Sequence, residues 1–220
     1  MKSNTFMLIL TSIVCLLPMV LGLVLYKDLP AQVVMQWNLE GEPNWFAPKA
    51  VAAFAMPLFF AGINILTITL INRDSRRENI SKKMMAVVQW LIPLIALVTV
   101  PIVLFMAMGI ELPVTLIIFT LVGIIIVLIG NYLPKCRQNH SVGIRISWTL
   151  SDSENWNKTH RIGGFLWTLG GIMFIIFAFL PFEENVLLIF LFLILTILVL
   201  IPILYSYSLH KKSTQKERAK

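Results

Sequence analysis

Long apolar runs alternate with short polar segments along the whole chain, and this pattern predicts a membrane protein. Six runs are long enough to span a bilayer, and none of them contains Asp, Glu, Lys, Arg or His. They are residues 5–26, 50–71, 84–108, 114–133, 165–182 and 186–209. A spanning helix needs about 20 apolar residues, and backbone groups that have no water must pair within their own segment. The predicted fold class is therefore an all-α polytopic membrane protein with six transmembrane helices.

The basic residues indicate which side of the membrane each loop occupies. All but Lys27 and Lys49 of the 18 Lys and Arg residues lie before the first run, after the last, or in the second and fourth connections. These four segments share one side of a six-span protein, so the positive-inside rule predicts that both termini are cytoplasmic. The formal charge of +7 then comes from basic segments that lie at the membrane surface, next to anionic lipid. It does not require direct binding to nucleic acid.

The lengths of the connections divide the chain into four parts. Residues 1–83 hold the first two spans and a long external loop, residues 27–49, and residues 84–133 hold spans three and four. Residues 134–164 form a long cytoplasmic loop, and residues 165–220 hold the last two spans and a basic tail. Loops of this length in a compact protein are usually functional or disordered. Their Trp, Pro and Gly residues are not typical of disorder.

The external loop begins with a helix break and continues with a short extended piece. Pro30 disfavours helix at Leu29, and apolar side chains alternate over residues 33–37. Trp45 and Phe46 suit the interfacial aromatic belt. Two interpretations stay open here: a cap that anchors two helix ends, or a contact surface for an external ligand.

The cytoplasmic loop carries the signals of a short interfacial helix. Residues 151–154 read Ser-Asp-Ser-Glu, a capping-box pattern that predicts a helix beginning near Asp152. One face of this helix would carry Trp156, Thr159, His160 and Gly163, at positions i, i+3, i+4 and i+7. Such a helix would lie in the membrane interface with its aromatic side towards the lipid. The Gly163-Gly164 pair would then let the chain turn into the fifth span.

Candidate catalytic chemistry in this loop is weak, and we expect neither an enzyme nor a cofactor. Cys136, His140 and His160 have no recognised metal-ligand spacing, and further ligands are missing. Ser151 with His160 lacks the third group that orients a catalytic dyad. Cys15 lies within a predicted span and Cys136 on the cytoplasmic side, so we expect no disulfide.

Other functions and other roles for single residues are also considered. A transporter or exporter of a small amphipathic compound is the alternative function, although ion-coupled carriers usually keep ionisable residues within their spans and this chain has none there. A structural membrane subunit is another. Intramembrane polar residues such as Asn64 and Gln89 are expected to hydrogen-bond between helices. Finally, the pairs Arg145–Trp148 and His160–Arg161 form either an internal network or a docking surface for a cytoplasmic protein.

A set of residues around the cytoplasmic loop occurs in an order typical of one family. These residues are Asn131, Pro134, Asn139, Gly143, Arg145, Trp148, Thr149, Trp156, Thr159, His160 and Arg161. In them the chain resembles the SdpI family of bacterial peptide-toxin immunity proteins. The external loop resembles the domain that often precedes this family's loop, in Leu29, Pro30, Trp37, Asn38, Gly41 and Lys49. With Gly163 and Gly164, the loop residues are the candidate structural or partner-docking site, and the external residues are the candidate toxin contact.

The resemblance implies a function that the hydrophobic pattern does not. It implies protection of a bacterial cell, from within its cytoplasmic membrane, against a secreted membrane-active peptide toxin. It also implies a second role, in which the toxin-occupied protein holds a small transcriptional repressor at the membrane. In this hypothesis toxin contacts the external loop, spans four and five shift, and the cytoplasmic loop reports the change. The chain departs from the family's usual residues at Gln36, Asn44, Ile146 and Ser147.

Overall fold

A computed structural model describes residues 2–37, 43–181 and 183–218. It contains six helical segments that are long and apolar enough to cross a membrane: Thr5–Leu25, Val51–Asn72, Lys82–Ala107, Val114–Lys135, Ser153–Ala178 and Leu188–Gln215. Large apolar side chains such as Leu23, Phe59 and Phe192 are exposed on these helices, as expected of helices that face lipid. The predicted all-α class with six spans is confirmed, and a small β-hairpin is added to it.

The described residues fall into two compact units, which we treat separately. The first unit comprises residues 1–70 and 88–114, and the second comprises residues 71–87 and 115–220. The elements that begin in the first unit are α1 (Lys2–Leu16), α2 (Pro18–Leu25), β1 (Gln32–Trp37), β2 (Pro43–Pro48), a π-helix (Val51–Ala55) and α3 (Met56–Asn72). A further helix, α4 (Lys82–Ala107), lies mostly in this unit. The helices α1 and α2 form one span interrupted at Leu17, because Pro18 has no amide proton to donate.

The loop between the first two spans contains an antiparallel β-hairpin, of which the sequence indicated only the first strand. Val33 pairs with Ala47, and a β-bulge between Val34 and Gln36 shifts the register. Val33 lies fully buried at the base of the hairpin. The core there contains Leu29, Val33, Ala52, Ala53, Val100 and Leu104. Burying one such valine or leucine side chain contributes about 1.5–3 kcal/mol, so the hairpin is packed onto the helices that flank it.

A buried hydrogen bond joins two helices in the interior of the first unit. The Asn64 Nδ2 of α3 donates to Thr11 Oγ1 at 3.0 Å and to Ser12 Oγ at 3.1 Å, both on α1. The interhelical role predicted for Asn64 is therefore confirmed. Within a bilayer such a bond is worth about 0.6–2 kcal/mol.

The second unit holds the remaining helices and most of the candidate site. Its elements are a 3₁₀ turn (Arg77–Asn79), α5 (Val114–Tyr132), a 3₁₀ turn (Leu133–Lys135), α6 (Ser147–Ser151), α7 (Ser153–Ala178) and α8 (Glu184–Arg218). The core between α5, α7 and α8 contains Ile126, Phe174, Ile194 and Leu198. Helices α5 and α7 approach very closely, since a Cβ on Gly123 would lie 2.8 Å from the Gly171 carbonyl oxygen.

The prediction of a separate short helix ending at Gly163-Gly164 is wrong. Helix α7 runs without interruption from Ser153 to Ala178, so the glycine pair does not turn the chain. These glycines serve close packing instead, because a Cβ on Gly164 would lie 2.4 Å from the Pro134 Cγ. The helix does begin where predicted, but the cap is Asp152 rather than Ser151. Asp152 Oδ1 accepts hydrogen bonds from the amides of Glu154 (2.8 Å) and Asn155 (3.2 Å).

Candidate functional site

Residues 134–164, which we call the foot, fold into a single hydrogen-bonded layer within the second unit. The fully buried Asn139 organises its first turn. Asn139 Nδ2 donates to the carbonyl oxygens of Arg137 (2.9 Å) and Val142 (3.0 Å). Its Oδ1 accepts from the amides of Ser141 (2.9 Å) and Val142 (2.7 Å). One side chain therefore replaces the regular secondary structure that residues 136–142 lack.

The centre of the foot is a buried stack of Trp156 on His160. Their ring centroids lie 3.9 Å apart at an interplanar angle of 19°, and both side chains are fully buried. Trp156 Nε1 donates to the Cys136 carbonyl oxygen at 2.7 Å. The helical face predicted to hold Trp156, Thr159, His160 and Gly163 exists, but it is buried within protein and does not face the membrane interface. The reason is that residues 133–144 cover this face.

The hydrogen bonds of His160 define its protonation state. Its Nδ1 lies 2.8 Å from the Trp156 carbonyl oxygen, which can only accept, so Nδ1 carries the proton. Its Nε2 accepts from the Ile144 amide at 3.0 Å and is therefore unprotonated. His160 is thus a neutral structural link between α7 and the loop. Gly143 lies against it with φ +124°, and a Cβ at this position would come within 2.4 Å of Nε2.

Thr149 and Gln138 position the short helix α6. Thr149 Oγ1 accepts from the Ile146 amide at 3.1 Å and donates to the Ile144 carbonyl oxygen at 2.8 Å. Gln138 Nε2 donates to the carbonyl oxygens of Thr149 (2.8 Å) and Leu150 (2.9 Å) at the end of this helix. Both ends of α6 are therefore satisfied by side chains of the foot.

A buried polar cluster that the sequence did not reveal joins α7 to α8. Asn155 Nδ2 donates to the Ser206 carbonyl oxygen at 3.0 Å, and Asn155 Oδ1 accepts from Ser206 Oγ at 2.6 Å. The predicted site residue Thr159 joins this cluster, since its Oγ1 donates to Asn155 Oδ1 at 2.9 Å. All three side chains are buried. The two bonds between Asn155 and Ser206 join residues 51 positions apart, which no local sequence pattern indicates.

The predicted pairs Arg145–Trp148 and His160–Arg161 are replaced by other contacts. Trp148 packs against α8, with ring centroids 5.7 Å from Tyr207 and 5.9 Å from His210. Arg145 donates from its Nη1 to the His140 carbonyl oxygen and remains exposed. Arg161 is also exposed, whereas His160 points into the buried stack. Of the other predicted residues, Asn131 is exposed on α5, and Pro134 packs on Gly164.

The thiol of the foot is bound within the loop rather than free for chemistry. Burial raises the pKa of Cys136, and a hydrogen bond from Asn139 opposes that effect only in part. Asn139 Nδ2 lies 3.2 Å from the Cys136 Sγ. A buried thiol with a raised pKa is a poor nucleophile, so the arrangement supports packing and recognition rather than covalent catalysis.

At the β-hairpin, Lys49 is the candidate residue with the most defined role. Its Nζ donates to the carbonyl oxygens of Tyr26 (2.7 Å) and Leu29 (3.3 Å), which follow the end of α2. The same ammonium group lies 4.6 Å from the centre of the Tyr26 ring. Leu29 is buried beneath it, and Pro30 is exposed. Trp37 ends β1, while Asn38 and Gly41 lie outside the described residues.

Replacing Lys49 by methionine is expected to loosen the base of the hairpin. The change keeps the apolar stem but removes the charged donor of two carbonyl groups, which should lower the free energy of unfolding by about 1.5–3 kcal/mol. Thermal unfolding of the purified protein followed by circular dichroism would measure this loss. Lys27→Met removes an exposed lysine nearby and is the matched control. Equal melting temperatures for the two variants would contradict the role given to Lys49.

Two family models match the chain, each within one of the two units. A model described as the SdpI/YfhL protein family matches residues 135–206, which contain the hydrogen-bonded network from Cys136 to Ser206. A domain of unknown function, DUF1648, matches residues 13–61, which contain the β-hairpin. Each of the two sites described above therefore lies mainly within a range of residues that one of these family models matches.

One curated protein is similar over nearly the full length of both chains. It is Immunity protein SdpI of Bacillus subtilis (strain 168), which is 31% identical over 216 residues, covering 96% of this chain and 98% of that protein. No solved structure is significantly similar to the chain.

Proposed function

The chain belongs to the SdpI/YfhL protein family, and from this membership we infer that it is an immunity protein, which protects its cell from a membrane-active peptide toxin. It is a multi-pass protein of the bacterial cytoplasmic membrane. The observation that carries the inference is the 31% identity to an immunity protein over 96% of the chain. The proposed activity is binding without catalysis.

We further propose that the protein is the receptor of its toxin as well as the protection against it. The external β-hairpin is the proposed toxin contact. It presents exposed Trp45 and Phe46 above a buried base fixed by Lys49. Aromatic side chains of this kind are common anchors in recognition surfaces. A hairpin packed at its base offers them at low entropic cost, which supports this assignment.

The foot is the proposed docking surface for a cytoplasmic transcriptional repressor. Its interior is fixed by buried side chains, while Arg145 and Arg161 remain exposed. A rigid layer with exposed guanidinium groups is suited to a partner that presents carboxylates, because arginine binds carboxylates in a bidentate manner. In this proposal the interior network holds the surface in shape, and the exposed charges select the partner.

Expression in a toxin-sensitive strain tests the immunity function. Cells that carry the chain should survive challenge with candidate peptide toxins at concentrations that kill cells carrying an empty vector. No gain in survival with any peptide, at normal levels of membrane-inserted protein, would contradict the function. Efflux of amphipathic compounds by vesicles that hold only this protein would instead favour a transporter.

Replacement of both Arg145 and Arg161 by alanine tests the docking surface. Each charge is worth about 1 kcal/mol, so the affinity for the repressor should fall about fivefold per charge. Less repressor should then co-sediment with membranes. Protection should be retained, because both side chains are exposed and the bond from Arg145 to the His140 carbonyl oxygen lies at the surface of the foot. Lys82→Ala with Lys83→Ala removes two exposed charges from the first turn of α4 and is the control. If both pairs of substitutions reduced co-sedimentation equally, the effect would be one of membrane charge alone.

A further inference from the structure

The segment that joins α3 to α4 is bound to the foot at two points. Asp74 Oδ2 accepts hydrogen bonds from Ser141 Oγ at 2.5 Å and from the His140 amide at 3.0 Å. Asn79 Nδ2 donates to the Gln138 carbonyl oxygen at 2.6 Å. Both contacts fall on residues 138–141, the turn that Asn139 organises. All of these residues belong to the second unit.

Asp74 is suited to hold this turn as an anion. Its other oxygen, Oδ1, accepts from the Arg76 amide at 2.8 Å, so both oxygens of the carboxylate are bound. Burial raises the pKa of Asp74, but the hydrogen bonds from Ser141, Arg76 and His140 together outweigh it, and the pKa is lowered overall. The carboxylate is therefore charged at neutral pH. A hydrogen bond to a charged carboxylate is stronger than one between two uncharged groups.

This contact differs from the rest of the foot in its exposure to water. Trp156, His160 and Asn139 are fully buried, so opening the interior exposes apolar surface and unpaired polar groups. Asp74 and Ser141 are only partly buried, and His140 is exposed. Water can replace each lost bond at this edge, so opening here costs far less than opening the interior. The Asp74 contact is thus easier to open than the buried interior of the foot.

Chain continuity gives this edge a special position. Helix α3 ends at Asn72, two residues before Asp74, and a π-helix, Val51–Ala55, precedes α3 directly after the hairpin. π-Helical turns are uncommon and occur often at functional sites. A helix that gains or loses one residue in such a turn rotates by about 100° and shifts by about 1.5 Å. Along the chain, Asp74 comes before Asn79, the other residue of this segment that is hydrogen-bonded to the foot.

We propose that Asp74 is a latch, carried at the end of α3, which holds residues 136–142 of the foot closed. When the latch opens, the turn around Asn139 separates from the segment 73–81, and the side chains beneath it become accessible. As a signalling device the latch depends on the receptor function proposed above. As a physical contact it is independent of any toxin.

Cys136 provides a reporter of this opening. The chain has two cysteines, Cys15 and Cys136, and both are buried free thiols. In a Cys15→Ala background Cys136 is the only thiol, and it lies at the start of the latched turn. Its reaction with a water-soluble maleimide, in protein purified in detergent, then measures how often the turn opens.

Asp74→Asn is the main test of the latch. The asparagine keeps the size of the side chain but loses the charge, and its single amide oxygen can accept either from Ser141 and His140 or from the Arg76 amide, but not from both sides. We expect Cys136 to react about tenfold faster than in the parent, as for the loss of one bond to a charged group. Ser141→Ala, which removes only one donor, should give a smaller increase and serves as the second variant if Asp74→Asn unfolds. Glu78→Gln neutralises an exposed carboxylate of the same segment and should leave the rate unchanged.

The result that would overturn the latch is a Cys136 rate within twofold of the parent in both Asp74→Asn and Ser141→Ala. An equal increase in Glu78→Gln would also overturn it, since charge alone would then explain the change. Survival under toxin challenge is measured on the same proteins. A parent that gives no protection would contradict the proposed function and leave the latch standing. If the parent protects cells but the Asp74→Asn and Ser141→Ala variants show unchanged maleimide rates, the latch is contradicted and the proposed function stands.

Discussion

Replacing Gly143 by alanine is expected to disrupt the foot by two separate effects, backbone strain and a steric clash. The backbone at Gly143 has φ +124°, a conformation that costs a residue with a Cβ about 1–3 kcal/mol. The added carbon would also lie 2.4 Å from His160 Nε2, which must move and lose its bond to the Ile144 amide. Leaving these buried groups unpaired costs about 1–3 kcal/mol more. Together the losses are about 4 kcal/mol, which lowers the melting temperature by about 10 °C.

Two other glycines separate the causes of this effect. Gly109 also has a positive φ, +80°, but nothing lies within 4 Å of its Cβ position, so Gly109→Ala carries the backbone strain alone. Gly62 lies in α3 with open space around it, so Gly62→Ala carries neither cost. Melting temperatures followed by circular dichroism should decrease in the order Gly62→Ala, Gly109→Ala, Gly143→Ala. If Gly143→Ala and Gly109→Ala had the same melting temperature, the contact with His160 would contribute nothing to stability.

The sequence predicted the membrane architecture because the bilayer imposes a simple rule on it. Without water a span must be helical, long and apolar, and this rule reads directly from the hydrophobic runs. The same reasoning missed β2, because residues 43–48 begin and end with proline and show no alternation of apolar and polar residues. The strand forms because it pairs with β1, whose Val33 packs into the core with residues of the flanking helices, a tertiary effect that local patterns do not contain.

The candidate site was predictable in its residues but not in its contacts. Resemblance identified Gly143, Trp156 and His160, which the structure brings together around one stack. It did not identify Asp74, whose bond to Ser141 spans 67 residues, or Asn155, whose bonds to Ser206 span 51. Hydrogen bonds between distant segments leave no periodic signal in a single sequence. They therefore emerge only once the helices are placed.

The glycine pair at 163–164 has a structural role, but that role is close packing and not the turn that the sequence predicted. Two adjacent glycines usually indicate a turn, yet here they continue α7 and admit neighbouring atoms. A Cβ on Gly163 would lie 2.8 Å from the Ile144 Cδ1, and one on Gly164 would lie 2.7 Å from the Gly130 carbonyl oxygen. In membrane proteins small residues allow helices to approach closely. Packing between segments therefore explains this pair, where flexibility does not.

Replacing Trp156 by alanine is expected to release the foot from α7. The substitution removes a fully buried ring, its stack on His160 and the donor to the Cys136 carbonyl oxygen. Loss of a buried tryptophan costs about 3–5 kcal/mol. Trp156→Phe keeps a smaller stacked ring and loses the donor, and the lost hydrogen bond alone should cost about 1–3 kcal/mol. Circular dichroism suits this comparison, because it does not depend on the tryptophan that is removed.

Trp90, which is exposed on α4, provides the matched control for Trp156. Its replacement by alanine should change stability by less than about 0.5 kcal/mol, as is usual for an exposed position without special contacts. Trypsin gives a second measurement, since Arg145 is exposed within the foot and the intact layer holds the chain around it. Cleavage after Arg145 should accelerate in Trp156→Ala and not in Trp90→Ala. Equal cleavage of the two variants would mean that the Trp156–His160 stack does not hold the foot together, because a folded layer that depends on one buried ring must open when that ring is removed.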